Sequence, residues 1–434
     1  MKIKTMICLL LVCLLVLQLG GCAAAKPGAA GPGTEPAPEP ANEPVELKAV
    51  NLMADVTRNP GTAAPVDASS AEAAADFALR LFRASHEKGE NTLISPLSVL
   101  CALAMTANGA DGETLAQMEQ TLGMDRDALN AFFRSYLSAL SSDEGGTLRL
   151  ANSVWFTDRL GFEVNRDFLQ RVADVYDADA YLAPFDDTTL ADINNWVRQN
   201  TDGMIPEILD RIPEDAVMYL INALAFDAKW MSPYHDYDVR EGEFTAQNGE
   251  KRTVEFMHSE ENIYLEDDGA VGFVKLYEDG KYAFAALLPK EGVTVEDYLS
   301  SLDAGKLLKL FSEPRYETVF ASLPKFETAY DVELSDVLKG MGMEIPFDGS
   351  RADLHGLGSC GDNNLYISRV LHKTFISVAE DGTRAGAATA VEVGAEGCIE
   401  DPKTVDLDRP FIYMLVDCET GLPFFIGTMV DPEG

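Results

Sequence analysis

The segment from Glu380 to Glu396 has the residue pattern of a strand that could be added to a β-sheet. Every charge after Gly382 falls in one row of a period-two pattern, which is typical of a strand with one buried and one wet face. Its glycine and alanine content suits a loop instead. The pattern therefore predicts a segment that changes from loop to strand; the alternative is a low-complexity linker. The uncharged row consists of Thr383, Ala385, Ala387, Thr389, Val391, Val393 and Ala395.

Residue types that could form a hydrolytic or metal centre show no suitable spacing. The sequence has no GxSxG stretch and no Cys/His signature of an activated nucleophile. Its five histidines form no HxxxH or HExxH pair. The cysteines beyond residue 22 show no CxxC spacing, and nothing favours the two disulfides they could form. We therefore expect no catalytic residues, no metal and no cofactor, although a hydrolase is kept as a third class of hypothesis.

The N-terminus has the pattern of a lipoprotein signal. Lys2 and Lys4 precede an apolar run from 6 to 19, which is short for a membrane-spanning helix. Leu-Gly-Gly-Cys at 19–22 resembles the lipobox of bacterial lipoproteins. This resemblance implies that 1–21 is a signal peptide and that Cys22 is lipidated. The alternative is an ordinary secretory signal with an incidental cysteine.

Composition separates a tether from a folded part. Residues 22–46 are mostly Pro, Ala, Gly and Glu, which predicts a flexible tether, and 70–434 is long enough to bury a large core. Lys and Arg total 34 against 71 Asp and Glu, giving a net charge of −37. This charge argues against nucleic acid as a partner and against docking of the domain itself on an anionic membrane. We expect an extracytoplasmic protein, lipid-anchored to the bacterial cell envelope.

Helical patterns concentrate early in the chain and strand patterns late. This order predicts an α+β domain rather than alternating βαβ units. Helices are predicted over 71–88, over 96–108 after a Ser95 cap, over 114–122 and 168–176, and from 193 to a stop at Gly203. Strands are predicted over 148–156, 218–226, 271–276, 282–288, 318–323, 375–378, 411–416 and 424–429.

A series of short motifs, in order, resembles the serpin family over essentially all of 70–434. The motifs are NTLISPLSV at 91–99, ADGETL at 110–115, NNWV at 194–197, TDGMI at 201–205, NALAFDAKW at 222–230, LPKF at 323–326, LKGMGM at 338–343, VLHK at 370–373 and DRPF at 408–411. The resemblance implies the serpin fold, in which helices pack around a large central β-sheet with further sheets and an exposed reactive-centre loop.

The resemblance also implies a function. Members offer a bait bond to a protease, and after acyl-enzyme formation the cleaved loop inserts into the central sheet. We therefore expect a monomeric, stoichiometric covalent inhibitor of extracellular serine proteases, with cysteine proteases as a second target class. The alternative is a non-inhibitory relative that acts as a binding or carrier protein.

Family positions carry over onto particular residues. The scissile bond would be Glu396–Gly397, with cleavage after Ala395 or Cys398 as alternatives because the segment to Pro410 is a few residues longer than in well-known relatives. Arg384 departs from the acidic residue usual at its position. The loop hinge would comprise Glu380, Gly382, Thr383, Ala385, Ala387, Ala388 and Thr389. The residues that control sheet opening would be Ser95, Ser98, Asn222, Trp230 and His372.

Overall fold

A computed structural model describes residues 45–141, 148–159, 161–214, 216–361, 364–383 and 402–433. The described helices are α1 (Ala68–Ser85), α2 (Pro96–Ala107), α3 (Gly112–Leu122), α4 (Arg126–Ser141), α5 (Arg166–Arg171), α6 (Asp187–Asn200), α7 (Val295–Ser301), α8 (Ala304–Ser312) and α9 (Ser335–Gly340). The first strands are β1 (Val50–Asn51), β2 (Thr92–Ile94), β3 (Leu148–Thr157), β4 (Glu163–Val164), β5 (Asp179–Ala183), β6 (Met218–Phe226), β7 (Ala228–Lys229), β8 (Val239–Thr245), β9 (Lys251–Glu261) and β10 (Ile263–Glu266). The later strands are β11 (Ala270–Leu276), β12 (Tyr282–Pro289), β13 (Val319–Pro324), β14 (Phe326–Glu333), β15 (Gly358–Ser359), β16 (Leu371–Val378), β17 (Gly382–Thr383), β18 (Lys403–Asp406), β19 (Phe411–Asp417) and β20 (Pro423–Met429).

The central sheet consists of two four-stranded halves. One half has the order β1-β5-β3-β6 and the other the order β14-β16-β17-β7. The inner strands β6 and β16 are joined in the described chain by one parallel bridge, between Leu220 of β6 and Val370, the residue before β16. Because β6 continues into β7, the two halves meet again where β7 pairs with β17. We call the space between β6 and β16 the central gap.

Three further sheets and the helices complete the α+β fold expected from the sequence, and one of these sheets is only the strand pair β15-β4. A six-stranded sheet has the order β10-β11-β12-β19-β20-β2, and a four-stranded sheet has the order β18-β13-β9-β8. Helix α2 lies against β6 and β20, and all its side chains are buried, as its apolar sequence predicts. The central gap therefore opens above a buried helix.

Local sequence explains most element boundaries and the differences from prediction. Helix α3 ends at Gly123, which has φ 78°. Helix α6 begins earlier than predicted, because the Asp186 carboxylate caps it by accepting the N–H groups of Thr188 and Thr189. Ser95 occupies the cap position of α2, but its side chain makes no capping hydrogen bond, which corrects the expected role of its hydroxyl.

Strand β16 is longer than the sequence predicts. The prediction began at 375, whereas the strand begins at Leu371. Its buried row includes His372 and Thr374 beside Ile376 and Val378, so the apolar alternation is visible only in its second half. The two polar residues in this row belong to the candidate site.

A short segment before α1 covers the edge of the central sheet. Strand β1 pairs with β5, opposite Leu182 and Tyr181. The Asp192 carboxylate accepts the N–H groups of Lys48 and Ala49, each at 2.8 Å. The sequence showed no strand pattern there. No helix in the described part of the chain is long and apolar enough to cross a membrane.

Candidate functional site

The described start of the predicted hinge, Gly382 and Thr383, is already part of the central sheet. Strand β16 turns back through Ala379 and Gly382, with mutual backbone hydrogen bonds of 3.0 and 3.3 Å. Thr383 then lies opposite Val378 of β16 on one side and Ala228 of β7 on the other, antiparallel to both. Because β6 and β16 run parallel to each other, a strand that continued from β17 into the central gap would be antiparallel to both neighbours.

Gly382 is the residue type that this position requires. A Cβ built there would overlap the carbonyl oxygen of Ala228 and approach the Cα of Lys229 at 2.8 Å. Both neighbours are backbone atoms, which cannot move away as a flexible side chain could. The glycine therefore allows the hinge to approach β7 closely.

Trp230 holds the turn between β16 and β17. Its indole N–H donates to Ala379 O at 2.8 Å, and its backbone N–H donates to Asp381 O at 2.9 Å. The backbone N–H of Tyr234 donates to Glu380 O at 3.0 Å. The structure thus places Trp230, which was predicted to influence sheet opening, in direct contact with the hinge.

A buried stack of side chains lies beneath Thr383. Its Oγ1 is 2.5 Å from the hydroxyl oxygen of Tyr277, whose ring stacks on Trp230 with centroids 4.6 Å apart. Lys275 Nζ lies 5.6 Å from the Trp230 ring centroid and 4.3 Å from that of Tyr234. The Lys275 ammonium is also paired with Glu261 at 2.7 Å, so this buried charge is compensated.

An ion pair fixes Glu380 at the surface end of the turn. Lys325 Nζ lies 2.8 Å from Glu380 and 2.9 Å from Glu255. Partial burial, the largest single effect, opposes ionisation of Glu380, but the hydrogen bond from Lys325, a backbone hydrogen bond and the Lys325 charge together outweigh it and lower the pKa of the Glu380 carboxyl. All three side chains are partly exposed, so solvent screens the pair and the expected stabilisation is below about 1 kcal/mol.

His372, Ser95 and Ser98 form a polar group between β16 and α2. The Ser95 backbone N–H donates to His372 Nε2 at 2.9 Å, and the Ser98 hydroxyl donates to Ser95 O at 3.0 Å. Burial lowers the pKa of His372 to about 4. The ring is therefore neutral at pH 7 and accepts at Nε2, which couples β16 to the start of α2.

Asn222 lies apart from that group, across the central gap on β6. Its side-chain NH₂ donates to Asn152 Oδ1 on β3. Asn222 Oδ1 and Ser95 Oγ are buried and have no hydrogen-bond partner among the described residues. The predicted set therefore divides into His372, Ser95 and Ser98 on one side of the gap and Asn222 on the other, with unsatisfied acceptors on both.

Several predicted residues lie outside the described ranges. They are Cys22, Arg384, Ala385, Ala387, Ala388, Thr389, Ala395, Glu396, Gly397 and Cys398. Their roles stay predictions.

The site also contains residues that the sequence did not single out. Lys325 stands inside the motif LPKF, so its position in the chain could have been used. Tyr277 and Lys275 follow an ordinary strand pattern, and only the fold brings them under Thr383. Among the described residues no group of His, Cys, Asp and Glu side chains could hold a metal ion. The arrangement suits the admission of a strand.

Comparison with known proteins agrees with this geometry. The model of the family described as "Serpin (serine protease inhibitor)" matches residues 72–432. An uncharacterized serpin-like protein of Thermococcus kodakarensis is 34% identical over 367 residues, covering 82% of this chain and 84% of its own. Leukocyte elastase inhibitor A of Mus musculus is 30% identical over 378 residues, covering 82% and 97%.

Among solved structures, the chain is similar to the thermophilic serpin tengpin. Its native-state structure is 46% identical, has a TM-score of 0.84, and is matched over 89% of this chain and 100% of its own. Its latent-state structure matches with a lower TM-score of 0.76, over 85% and 100%. The structure described here is thus more similar to the native state. With the family model matching most of its length, the chain belongs to the serpin family.

Proposed function

We propose that this protein is a stoichiometric, covalent inhibitor of extracellular serine proteases that acts by loop cleavage and insertion into the central gap. The observation that carries the proposal is the position of Thr383, paired with β16 and β7 at the top of a gap that is otherwise closed by one bridge. Two residues of a new central strand are in place, and the residues after them alternate as that strand requires.

The energetics favour completion of the strand once the loop is cut. An inserted strand would gain backbone hydrogen bonds on both sides, each worth about 1 kcal/mol net. For about ten such bonds the gain is on the order of 10 kcal/mol, comparable to the stability of a whole domain. The buried acceptors Asn222 Oδ1 and Ser95 Oγ lie at this gap and have no partner among the described residues. The free energy gained on strand insertion increases if insertion provides them with hydrogen-bond donors.

The uncharged row of 383–395 supports inhibition over a carrier function. Thr383 is 2% exposed, so the first member of the row is buried, as the alternation predicts. A charged or bulky residue in that row would have to enter the core during insertion. The proposed scissile bond is Glu396–Gly397, which selects a glutamate-directed protease. Cleavage after Ala395 would select an elastase- or subtilisin-like enzyme instead.

The proposed location is extracytoplasmic, with the chain lipid-anchored to the bacterial cell envelope. Cleavage before Cys22 and lipidation of that cysteine would attach the chain, and 22–46 would hold the inhibitor away from the lipid surface. Labelling cells with a radioactive or alkynyl fatty acid, followed by mass analysis of the N-terminal peptide, tests this point. A Cys22→Ser variant should lose the label.

The test of inhibition is a search for a covalent complex. Residues 45–434 are mixed with glutamate-directed, elastase-like, subtilisin-like and papain-like proteases, then analysed by denaturing gels and intact mass. We expect an adduct that resists denaturant and a released C-terminal peptide that starts at Gly397. Cleavage of the loop without adduct would contradict inhibition and favour the carrier alternative.

A variant pair separates insertion from loop presentation. Thr383→Arg places a guanidinium in the buried row and should convert the inhibitor into a substrate, with cleavage but no adduct. Thr253→Arg makes the same change at an exposed strand position of β9 and should leave adduct formation intact. Retention of inhibition by Thr383→Arg would show that insertion is not the mechanism.

A further inference from the structure

Lys275 is the only lysine or arginine that is buried in the described part of the chain. It lies on β11 and is 1% exposed, and the mechanism proposed above gives it no role. Removing an ammonium group from water is costly, and a buried ion pair is often no more stabilising than two apolar side chains of similar size. A role beyond the stability of the fold would explain why a charge is placed there.

The ammonium group of Lys275 has three partners. Glu261 Oε1 accepts a hydrogen bond from Nζ at 2.7 Å, and the side chain of Glu261 is itself only 12% exposed. The ring centroids of Tyr234 and Trp230 lie 4.3 and 5.6 Å from Nζ. Because one cation contacts two aromatic faces and one carboxylate, it restricts the positions of all three side chains relative to one another.

Two of these partners bind the turn between β16 and β17. Trp230 and Tyr234 donate to the backbone carbonyl groups of residues 379–381 through one indole N–H and two backbone N–H groups, at distances of 2.8 to 3.0 Å. Thr383, the first paired residue of the hinge that faces the core, follows directly after this turn. Lys275 therefore contacts both residues that bind the start of the hinge from outside the loop segment.

Glu261 connects the same ammonium group to the strand that follows the loop segment. It is the last residue of β9 and lies opposite Val319 of β13. Val319 in turn lies opposite Lys403, the first residue of β18. The proposed reactive loop lies in the chain between β17 and β18. The ion pair of Lys275 and Glu261 thus links the strands on both sides of the loop to one buried point.

An apolar side chain at position 275 would fill the same space without making these links. The neighbouring strand residues Phe273 and Val274 are buried and apolar, and Phe284 lies opposite Lys275 on β12. The surroundings would therefore accept Met or Leu. Such a side chain would form no directed contact with the Glu261 carboxylate or with the aromatic faces.

We propose that Lys275 is a positioning residue for loop insertion. Its ammonium group keeps Trp230 and Tyr234 oriented towards the turn at 379–381, with the end of β9 fixed beside them, so the start of the hinge stays paired when the loop is cut. This inference rests on the proposed inhibitory function and names a residue that serves it. Without the ammonium group, insertion begins more slowly. Water then hydrolyses the acyl-enzyme ester first, which releases active protease and cleaved inhibitor.

The test removes both charges, so that no buried carboxylate is left without its cation. Lys275→Met combined with Glu261→Gln keeps the approximate size of both side chains. Hydrogen exchange of the Trp230 and Tyr234 amides should become at least about tenfold faster, because their bonds to the turn open more often. The midpoint of urea-induced unfolding should not fall, since an apolar replacement of a buried ion pair is tolerated.

The functional measurement is the number of inhibitor molecules consumed per covalent adduct, with a protease that forms the adduct. In the double variant this number should rise at least about twofold, because hydrolysis competes better when insertion is slower. Tyr234→Leu is a second variant, for use if the double variant does not fold. It removes one aromatic face and keeps the backbone N–H and the ion pair, and it should change both measurements in the same direction.

The matched control removes an ion pair from the other end of β9. Arg252 and Asp431 lie 2.8 Å apart, with side chains that are 21% and 20% exposed. Arg252→Met with Asp431→Asn should change neither amide exchange at Trp230 and Tyr234 nor the number of molecules consumed.

Two results would overturn the role of Lys275 while the inhibitory function stands. One is unchanged amide exchange in the Lys275 variant, and the other is faster exchange with an unchanged number of inhibitor molecules consumed per adduct. If the wild type forms no adduct with any protease, the inhibitory function fails and the role of Lys275 fails with it.

Discussion

The hydroxyl of Tyr277 and Oγ1 of Thr383 lie 2.5 Å apart, buried beneath the turn that joins β16 to β17. This bond links Thr383 of the hinge to the stack of Tyr277 and Trp230. The hinge is thus held in the sheet by a side chain as well as by its backbone pairing. Before cleavage, the hinge therefore stays in the sheet with the help of side chains outside the loop segment, those of Tyr277 and Trp230.

Replacement of Tyr277 by Phe should destabilise the native state by about 1–2 kcal/mol. The change removes one hydroxyl and leaves Thr383 Oγ1 buried without its partner, while the ring stack on Trp230 is kept. The midpoint of urea-induced unfolding measures the effect. Tyr316→Phe, which removes an exposed hydroxyl, should leave the midpoint unchanged. Equal midpoints for Tyr277→Phe and wild type would mean that the bond does not hold the hinge.

Replacement of Gly382 by Ala should impair seating of the hinge. The added Cβ would overlap the Ala228 carbonyl, so the hinge must move away from β7. The inserted strand would then begin from a displaced position. We expect more cleaved inhibitor and less covalent adduct. The measurement is the stoichiometry of inhibition, the number of inhibitor molecules consumed per protease molecule inhibited, which should increase. Gly340→Ala, where a Cβ meets nothing within 4 Å, serves as control and should behave as wild type. An unchanged stoichiometry in Gly382→Ala would contradict the role of close approach.

The sequence predicted the fold class and eight of the twenty described strands, among them β12 and β19, whose apolar runs are buried on both faces. It failed where the function requires polar residues in buried rows, as with His372 and Thr374 in β16. The sequence indicated Trp230 only through family resemblance, whereas the period-two pattern of 380–396 pointed to the loop segment directly. Lys275, Tyr277 and Lys325 reach the hinge from strands distant in the chain, and no local pattern specifies such contacts. Asn222 and His372 were predicted together, yet the central gap separates them.

Stability should fall as pH decreases from about 7 towards 4, with His372 as one identifiable cause. Burial lowers its pKa to about 4 in the folded state, whereas the unfolded value is near 6.5. Between these values the unfolded chain binds more protons, so the free energy of unfolding decreases as pH falls, by up to roughly 3 kcal/mol from this residue. Protonation also removes the acceptor at Nε2 for the Ser95 N–H, which loosens β16 from α2.

A variant isolates this contribution from those of the other titrating groups. His372→Gln keeps a side-chain acceptor but does not titrate, so the difference between its pH profile and that of wild type reports His372 alone. Both proteins retain Glu380 and His86, and the pKa of His86 is also lowered by burial. The contributions of these two groups to the pH profile therefore cancel in the difference. Urea unfolding at pH 7.5, 6.0 and 4.5 should show a shallower decline for the variant. Parallel profiles would mean that His372 is not buried as a neutral acceptor, and that β16 is coupled to α2 by other contacts.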